Sequence, residues 1–219
     1  MSTDLSGVTL TNTRLKGALL SGAVLDEKVI AQMTRMGINP QGTLEPLGER
    51  LFERLAYHQQ WLDSEGREGA RLELDLVDLS DAPLAETDLS AAKIQRCDLS
   101  RANLYGSTLI MADLSYCNLT GADLSGANLS GCTLRRANLS GADLRDAVLA
   151  SVPLAGEVER QWPVNLQYAR LTDADLRCRS VTGAILRYAD LTGARVNLAL
   201  MRGSDVTGAK LPALRRTFF

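Results

Sequence analysis

Few side chains in this chain could do chemistry, and their spacing narrows what they could do. Four cysteines, Cys97, Cys117, Cys132 and Cys178, form no CxxC pair and lack the spacing of a metal site. They read as small buried apolar residues, with a redox pair as the alternative for Cys97 and Cys117. His58 is the only histidine. With no second histidine or nearby nucleophile it reads as a packed or partly exposed structural residue. The glycines fall in no GxGxxG or GKS context, so no loop is built to cradle phosphate. Catalytic, cofactor and metal residues are therefore expected to be absent, and the chain is expected not to be an enzyme. What remains could only bind: Asp78, Asp98, Asp123 and Asp143; Glu157, Glu159 and Trp162; and the apolar Leu214, Phe218 and Phe219.

The elements that must position these residues follow from one regularity. From Leu99 to Leu149 a leucine recurs at every fifth residue, with a small residue two places before it. On an α-helix five residues advance about 500°, which scatters the leucines around the cylinder. On a flat strand an odd period throws alternate leucines to opposite faces. They share one core only if the chain turns a corner once per repeat and winds into a coil. Each unit then buries its apolar side against the next, as in a solenoid.

Tandem ADLSG and ANLSG units resemble the bacterial pentapeptide-repeat family. The resemblance covers about three quarters of the chain. It implies an all-β solenoid, a right-handed quadrilateral β-helix with four pentapeptides per coil and the central leucine inside. Residues 20 apart then become neighbours on adjacent rungs, about 4.8 Å apart. That stacks Cys97 on Cys117, Arg170 on Asp190, Asp190 on Lys210, Asp175 on Arg195 and Tyr168 on Tyr188.

Residues 1–25 follow the five-residue beat and make a first repeat coil. Residues 26–71 break it with an inserted helical pair. Asp26 caps a first helix that ends at Gly37, and residues 38–45 read as a loop. Pro46 opens a second helix with Leu47, Leu51, Phe52, Leu55, His58 and Leu62 on one broad face, ended by Gly66. The pair reads as a cap over the open end of the coils, or as a docking element. Residues 72–154 form the main repeat block, the stability core at about 1.5–3 kcal/mol per buried leucine. Residues 155–165 shift the phase by two and must leave the wall as a loop. Its Trp162 either contacts a partner or packs back on the wall. Residues 166–211 form a second, less regular block. There Arg179 falls in a small inward slot, so a bulge or an outward turn is expected. Residues 212–219 close the second open end or meet a second copy, with Leu214, Phe218 and Phe219 as the contacts.

The chain carries a formal charge of −2 with 45% hydrophobic residues. It has no apolar run long enough to span a membrane and no secretory leader at its start, so a cytoplasmic protein without membrane contact is expected. Acids outnumber bases across residues 72–154, and bases outnumber acids across 164–212. A non-enzymatic protein-binding scaffold working through the outer faces is the reading that fits. The resemblance implies an alternative, since well-known relatives protect DNA gyrase or another type II topoisomerase as partial DNA mimics and dimerise through their C-terminal ends. A full mimic needs nearly three negative charges per coil, because B-DNA carries one per about 1.7 Å. The central block has under half of that. Direct nucleic-acid binding is not expected.

Overall fold

A computed structural model of the chain describes residues 45–46, 48–153 and 161–212. Every fifth residue is a corner. Two places after each central residue the backbone enters the left-handed region, with φ of 57° at Arg101, 61° at Gly106, 56° at Met111 and 65° at Tyr116. The amide of the following small residue closes the turn, as where Ala112 N–H donates to the Leu109 carbonyl at 3.1 Å. A positive φ at the third turn residue is the type II pattern, which glycine adopts without strain.

Between corners, short extended segments pair in parallel with the coil below. Asp98 faces Asn118, Asn103 faces Asp123, Thr108 faces Asn128 and Asp113 faces Thr133. Four rungs per 20 residues give a square coil, as the repeat predicts. Each wall repeats one exchange: Leu104 N–H donates to the Asp123 carbonyl at 2.7 Å, and Asn103 N–H donates back to the Ala82 carbonyl at 3.0 Å. The first wall is centred on Leu74, Ile94, Leu114, Leu134, Leu166 and Leu186. The second starts at Leu79, the third at Leu84 and the fourth at Leu89. Only a few rungs are long enough to count as strands: β2 (Glu73–Asp75) with β4 (Lys93–Gln95), and β7 (Asp175–Leu176) with β8 (Arg195–Val196). All the central leucines from Leu74 to Leu149 are buried, together with the residues two before them, Cys97, Cys117 and Cys132 among these, except the half-buried Thr87.

The N-terminal end is covered. Strand β1 (Glu45–Pro46) pairs in parallel with β3 (Val77–Asp78), where the sequence suggested only a loop up to residue 45. Helix α1 (Gly48–Asp63) follows. It buries Leu51 and His58 but leaves Phe52 61% exposed, so the expected broad face is narrower by that ring. The first coil offers α1 a strip only one coil wide. Gly66 ends the turn after α1, as expected, with φ 83° and its N–H on the Trp61 carbonyl at 2.8 Å. On the first coil's edge, Pro83 occupies the slot that Asn103 and Asp123 fill one and two coils later. In those coils the amide at this slot points back to the coil before. Pro83 has no amide to leave unpaired.

After Leu149 the coil opens. Rung partners are then 32 apart, as in Thr133 with Asn165 and Asn138 with Arg170, so 12 residues are inserted without disturbing the stack. Their arms, β5 (Val152–Pro153) and β6 (Gln161–Trp162), pair antiparallel as a hairpin. Val164 is already back inside, so the wall resumes one residue before the expected loop end. In the second block Arg179 is exposed and Cys178 is buried in its place. Arg179 N–H, one residue early, takes the Ala147 carbonyl at 2.9 Å, which makes the local bulge. A 3₁₀ turn at Leu198–Met201 interrupts the last coil. Val206 and Leu211 keep the repeat beat yet are 36% and 46% exposed, because no described coil lies beyond them. The first repeat coil of residues 1–25, the first helix, Glu157, Glu159, Leu214, Phe218 and Phe219 lie outside the described residues.

Candidate interaction surface

The candidate acids have a local job first. Each sits just before a central leucine, where its side chain accepts the amide two residues on: Asp78 from Ser80, Asp98 from Ser100 and Asp123 from Ser125, each at 2.9 Å, and Asp143 from Arg145 at 3.0 Å. This Asx turn holds the corner and orients one carboxylate oxygen along the wall. Asp78 and Asp98 are rung partners, as are Asp123 and Asp143. Their charges do not all face solvent unanswered. Arg145 binds Asp143 through Nε and Nη2, and this holds the carboxyl below its usual range. Arg101 grips Asp81, Arg96 grips Asp75 and Arg177 grips Asp175 in the same way.

Trp162 is 46% exposed at the base of the hairpin. The reading in which it packs back on the wall holds for one edge of the ring. A methyl group built on Gly131 would meet Val152 Cγ2 at 3.0 Å, Met111 Cγ at 3.2 Å and Trp162 Cδ1 at 3.3 Å. One edge of the indole therefore packs on the corner between the fourth and first walls, and the rest faces outward beside the 39% exposed Met111.

At the opposite edge of the first wall is a feature that the charge count missed. The corner residues there read Arg96, Tyr116, Arg136, Tyr168 and Tyr188 along successive coils. Tyr168 and Tyr188 stack with centroids 5.1 Å apart and planes 10° apart, and the Arg136 guanidinium lies 5.0 Å over the Tyr168 ring. Tyr168 on Tyr188 was legible from the 20-residue period. The whole column needs the same period continued across the 12-residue insertion.

Other rung expectations are met. Lys210 Nζ binds Asp190 at 3.0 Å, and Arg195 reaches Asp175 at 3.9 Å. With Lys210 and the Thr192 hydroxyl on it, the Asp190 carboxyl is held down to about 2. Arg170 pairs with Asp190 through the backbone rung only.

The thiols of Cys97, Cys117, Cys132 and Cys178 are free and buried. Burial pushes the Cys117 thiol well above its ordinary value and the Cys178 thiol up to about 12, which suppresses the reactive thiolate. His58 is fully buried and stacked on Trp61, with Nδ1 accepting Leu72 N–H at 3.1 Å. Its Nε2 faces the Ser90 carbonyl without closing a hydrogen bond of good geometry. Among the described residues, no group of His, Cys, Asp and Glu is arranged to hold a metal, and no helix is long and apolar enough to cross a membrane.

A square coil with a leucine interior and a turn at every fifth residue defines a repeat scaffold. The sequence matches the family described as pentapeptide repeats, in eight copies over residues 3–27, 73–149 and 164–203. The chain belongs to the pentapeptide-repeat family, which implies the right-handed sense of the coil. Among solved structures it is similar to HetL, a pentapeptide repeat protein involved in heterocyst differentiation regulation in the cyanobacterium Nostoc. The two share 31% identity over 63% of this chain and 65% of that one, with a TM-score of 0.47. A pentapeptide repeat protein from the Arabidopsis thaliana thylakoid lumen matches at 28% identity over 48% of this chain and 69% of its own, with a TM-score of 0.34. QnrB1, a plasmid-mediated fluoroquinolone resistance protein, matches at 19% identity over 62% of this chain and 79% of its own, with a TM-score of 0.32. The chain thus spans just under two thirds of the length of HetL. No curated protein matches the sequence.

Proposed function

We propose that the chain is a non-enzymatic scaffold that binds a protein partner through its outer walls, with the hairpin corner as its principal contact. One observation carries this reading. In a molecule that stores its leucines inside, Trp162, on an insertion that the coil does not need, stands beside Met111 of the coil wall, and both are partly exposed. Exposed tryptophan beside a flexible methionine is the composition of an interface anchor. Glu157, Glu159 and the outward oxygens of Asp78, Asp98, Asp123 and Asp143 would form the polar rim of such contacts.

The test is photocrosslinking from the full chain in its own host. A benzophenone residue at position 162 is expected to capture a discrete partner that one at Tyr105, 51% exposed at the corner between the third and fourth walls, does not. Trp162→Ala should then weaken the purified partner's binding about tenfold or more. Equal capture at both positions would refute the reading.

The topoisomerase-directed DNA mimic is the second reading, and it gains least from the walls. Asp75, Asp81, Asp143 and Asp175 each hold an arginine, so these four charges are balanced locally. Its test is gyrase supercoiling with and without a quinolone. No effect at micromolar protein removes it.

A further inference from the structure

The corner between the first and second walls departs from what the turn prefers. Glycine is the unstrained residue there, yet six successive coils place Leu76, Arg96, Tyr116, Arg136, Tyr168 and Tyr188 at φ between 55° and 65°. A side chain in the left-handed region costs about 1–2 kcal/mol. Three adjacent coils combine these corners with further bases: Arg135 and Arg136, then Tyr168 and Arg170, then Arg187 and Tyr188. Among the described residues, no carboxylate lies within 4 Å of Arg135, Arg136 or Arg170, whereas most arginines elsewhere on the coils are paired. Arg187 is held by Asp205. Arg136, Tyr168, Arg170 and Tyr188 are exposed.

We propose that this arginine–tyrosine corner is a docking site for an acidic protein segment, one that presents carboxylates to Arg135, Arg136 and Arg170 and takes hydrogen bonds from the Tyr168 and Tyr188 hydroxyls. The guanidiniums offer forked donors that match carboxylates. The stack of Arg136 on Tyr168 on Tyr188 fixes these groups in advance, so little side-chain freedom is lost on binding.

A nucleic-acid strand fits less well. The two faces of the Tyr168 ring are already taken by Arg136 and Tyr188, so no base can stack on it. The unpaired bases span only about 5 Å of axis, one rung spacing. Beyond them the second wall turns acidic, at Asp98 and Asp78 on one side and at Asp190 on the other. A polyanion that continued along the groove would meet these charges, whereas a short acidic segment need not.

The site rests on the reading of the chain as a protein-binding scaffold, but it is separate from the hairpin corner across the first wall. Its test is fluorescence anisotropy of a labelled 12-residue peptide of alternating glutamate and threonine, titrated with full-length protein at low salt. Micromolar binding is expected, weakened about tenfold by Arg136→Glu with Arg170→Glu and by the milder Arg136→Gln with Arg170→Gln. Arg145→Glu with Arg177→Glu makes the same charge change at arginines already paired, and should leave binding within about twofold. Trp162→Ala should also leave it unchanged. Circular dichroism melts confirm that each variant is folded. The proposal is overturned by absence of binding at millimolar protein, by equal losses in the two glutamate pairs, or by tighter binding of an oligothymidine of matched charge. Failure here would leave the Trp162 crosslinking result standing.

Discussion

Leu124 and Asp123 are neighbours that face opposite ways: the leucine is fully buried, and the aspartate bonds the next turn from outside. That division gives every residue a narrow role, and His58 is where it carries a pH dependence. Burial is the main cause that holds its imidazole below the ordinary value, opposed by Asp88 and the Ser90 carbonyl and reinforced by Arg71. The unfolded chain therefore binds this proton at higher pH than the folded one. Stability is full above about pH 6.5 and falls as pH drops below it. Protonation would also deprive Leu72 N–H of its acceptor at Nδ1. Melting temperature, and the protection of the Leu72 amide against exchange relative to its intrinsic rate, should fall from pH 7 to pH 5. His58→Asn, which keeps an acceptor near Nδ1 but does not titrate, should flatten that fall. An unchanged slope would show that other groups cause it. The place of His58 on the apolar face of α1 was legible in the sequence, but its full burial was not. Its bond to Leu72 was not, because nothing in a helix period says which backbone amide lies beyond the helix.

Among the elements, the hairpin packs on the wall at Gly131, and a pair of matched glycines can isolate that contact. Gly131 and Gly141 both have φ 66°. A methyl group on Gly131 would press on Val152, Met111 and Trp162, whereas one on Gly141 meets nothing within 4 Å. Each glycine-to-alanine change should cost about 1–2 kcal/mol of backbone strain. Only Gly131→Ala should also shift Trp162 emission and raise its quenching by acrylamide, measured in a Trp61→Phe background. Equal emission from the two variants would mean that the indole does not rest on this corner. The phase shift made the insertion legible, but not its form. Nothing in a five-residue beat says that Val152 and Trp162 pair across a hairpin. Phe52 shows the converse limit. It fits the helix period of α1 and is still exposed, because the period describes a face and not the width of what the face meets.

Across the whole molecule each coil touches only the coils above and below, so stability is set locally and summed along the axis. Leu124→Ala, in the middle of the stack, should cost about 2–5 kcal/mol in urea unfolding. Val206→Ala, already 36% exposed near the far end, should cost less than about 1 kcal/mol. Similar costs at the two sites would contradict a nearest-neighbour stack. The square coil was the most legible feature, because buried leucines tolerate one spacing only. The arginine–tyrosine corner was the least, because charge totals average over walls that the fold keeps apart.

Pro83 carries a consequence for how large the object can become. A ladder of near-identical rungs is a template for its own continuation, and a stray strand from another molecule could dock wherever an amide waits unused. At the first coil that invitation is withdrawn: the imide nitrogen of Pro83 offers no proton, while β1 and α1 cover neighbouring groups. Strand addition at this slot of the first described coil is thereby disfavoured, which closes one route by which copies could join edge to edge.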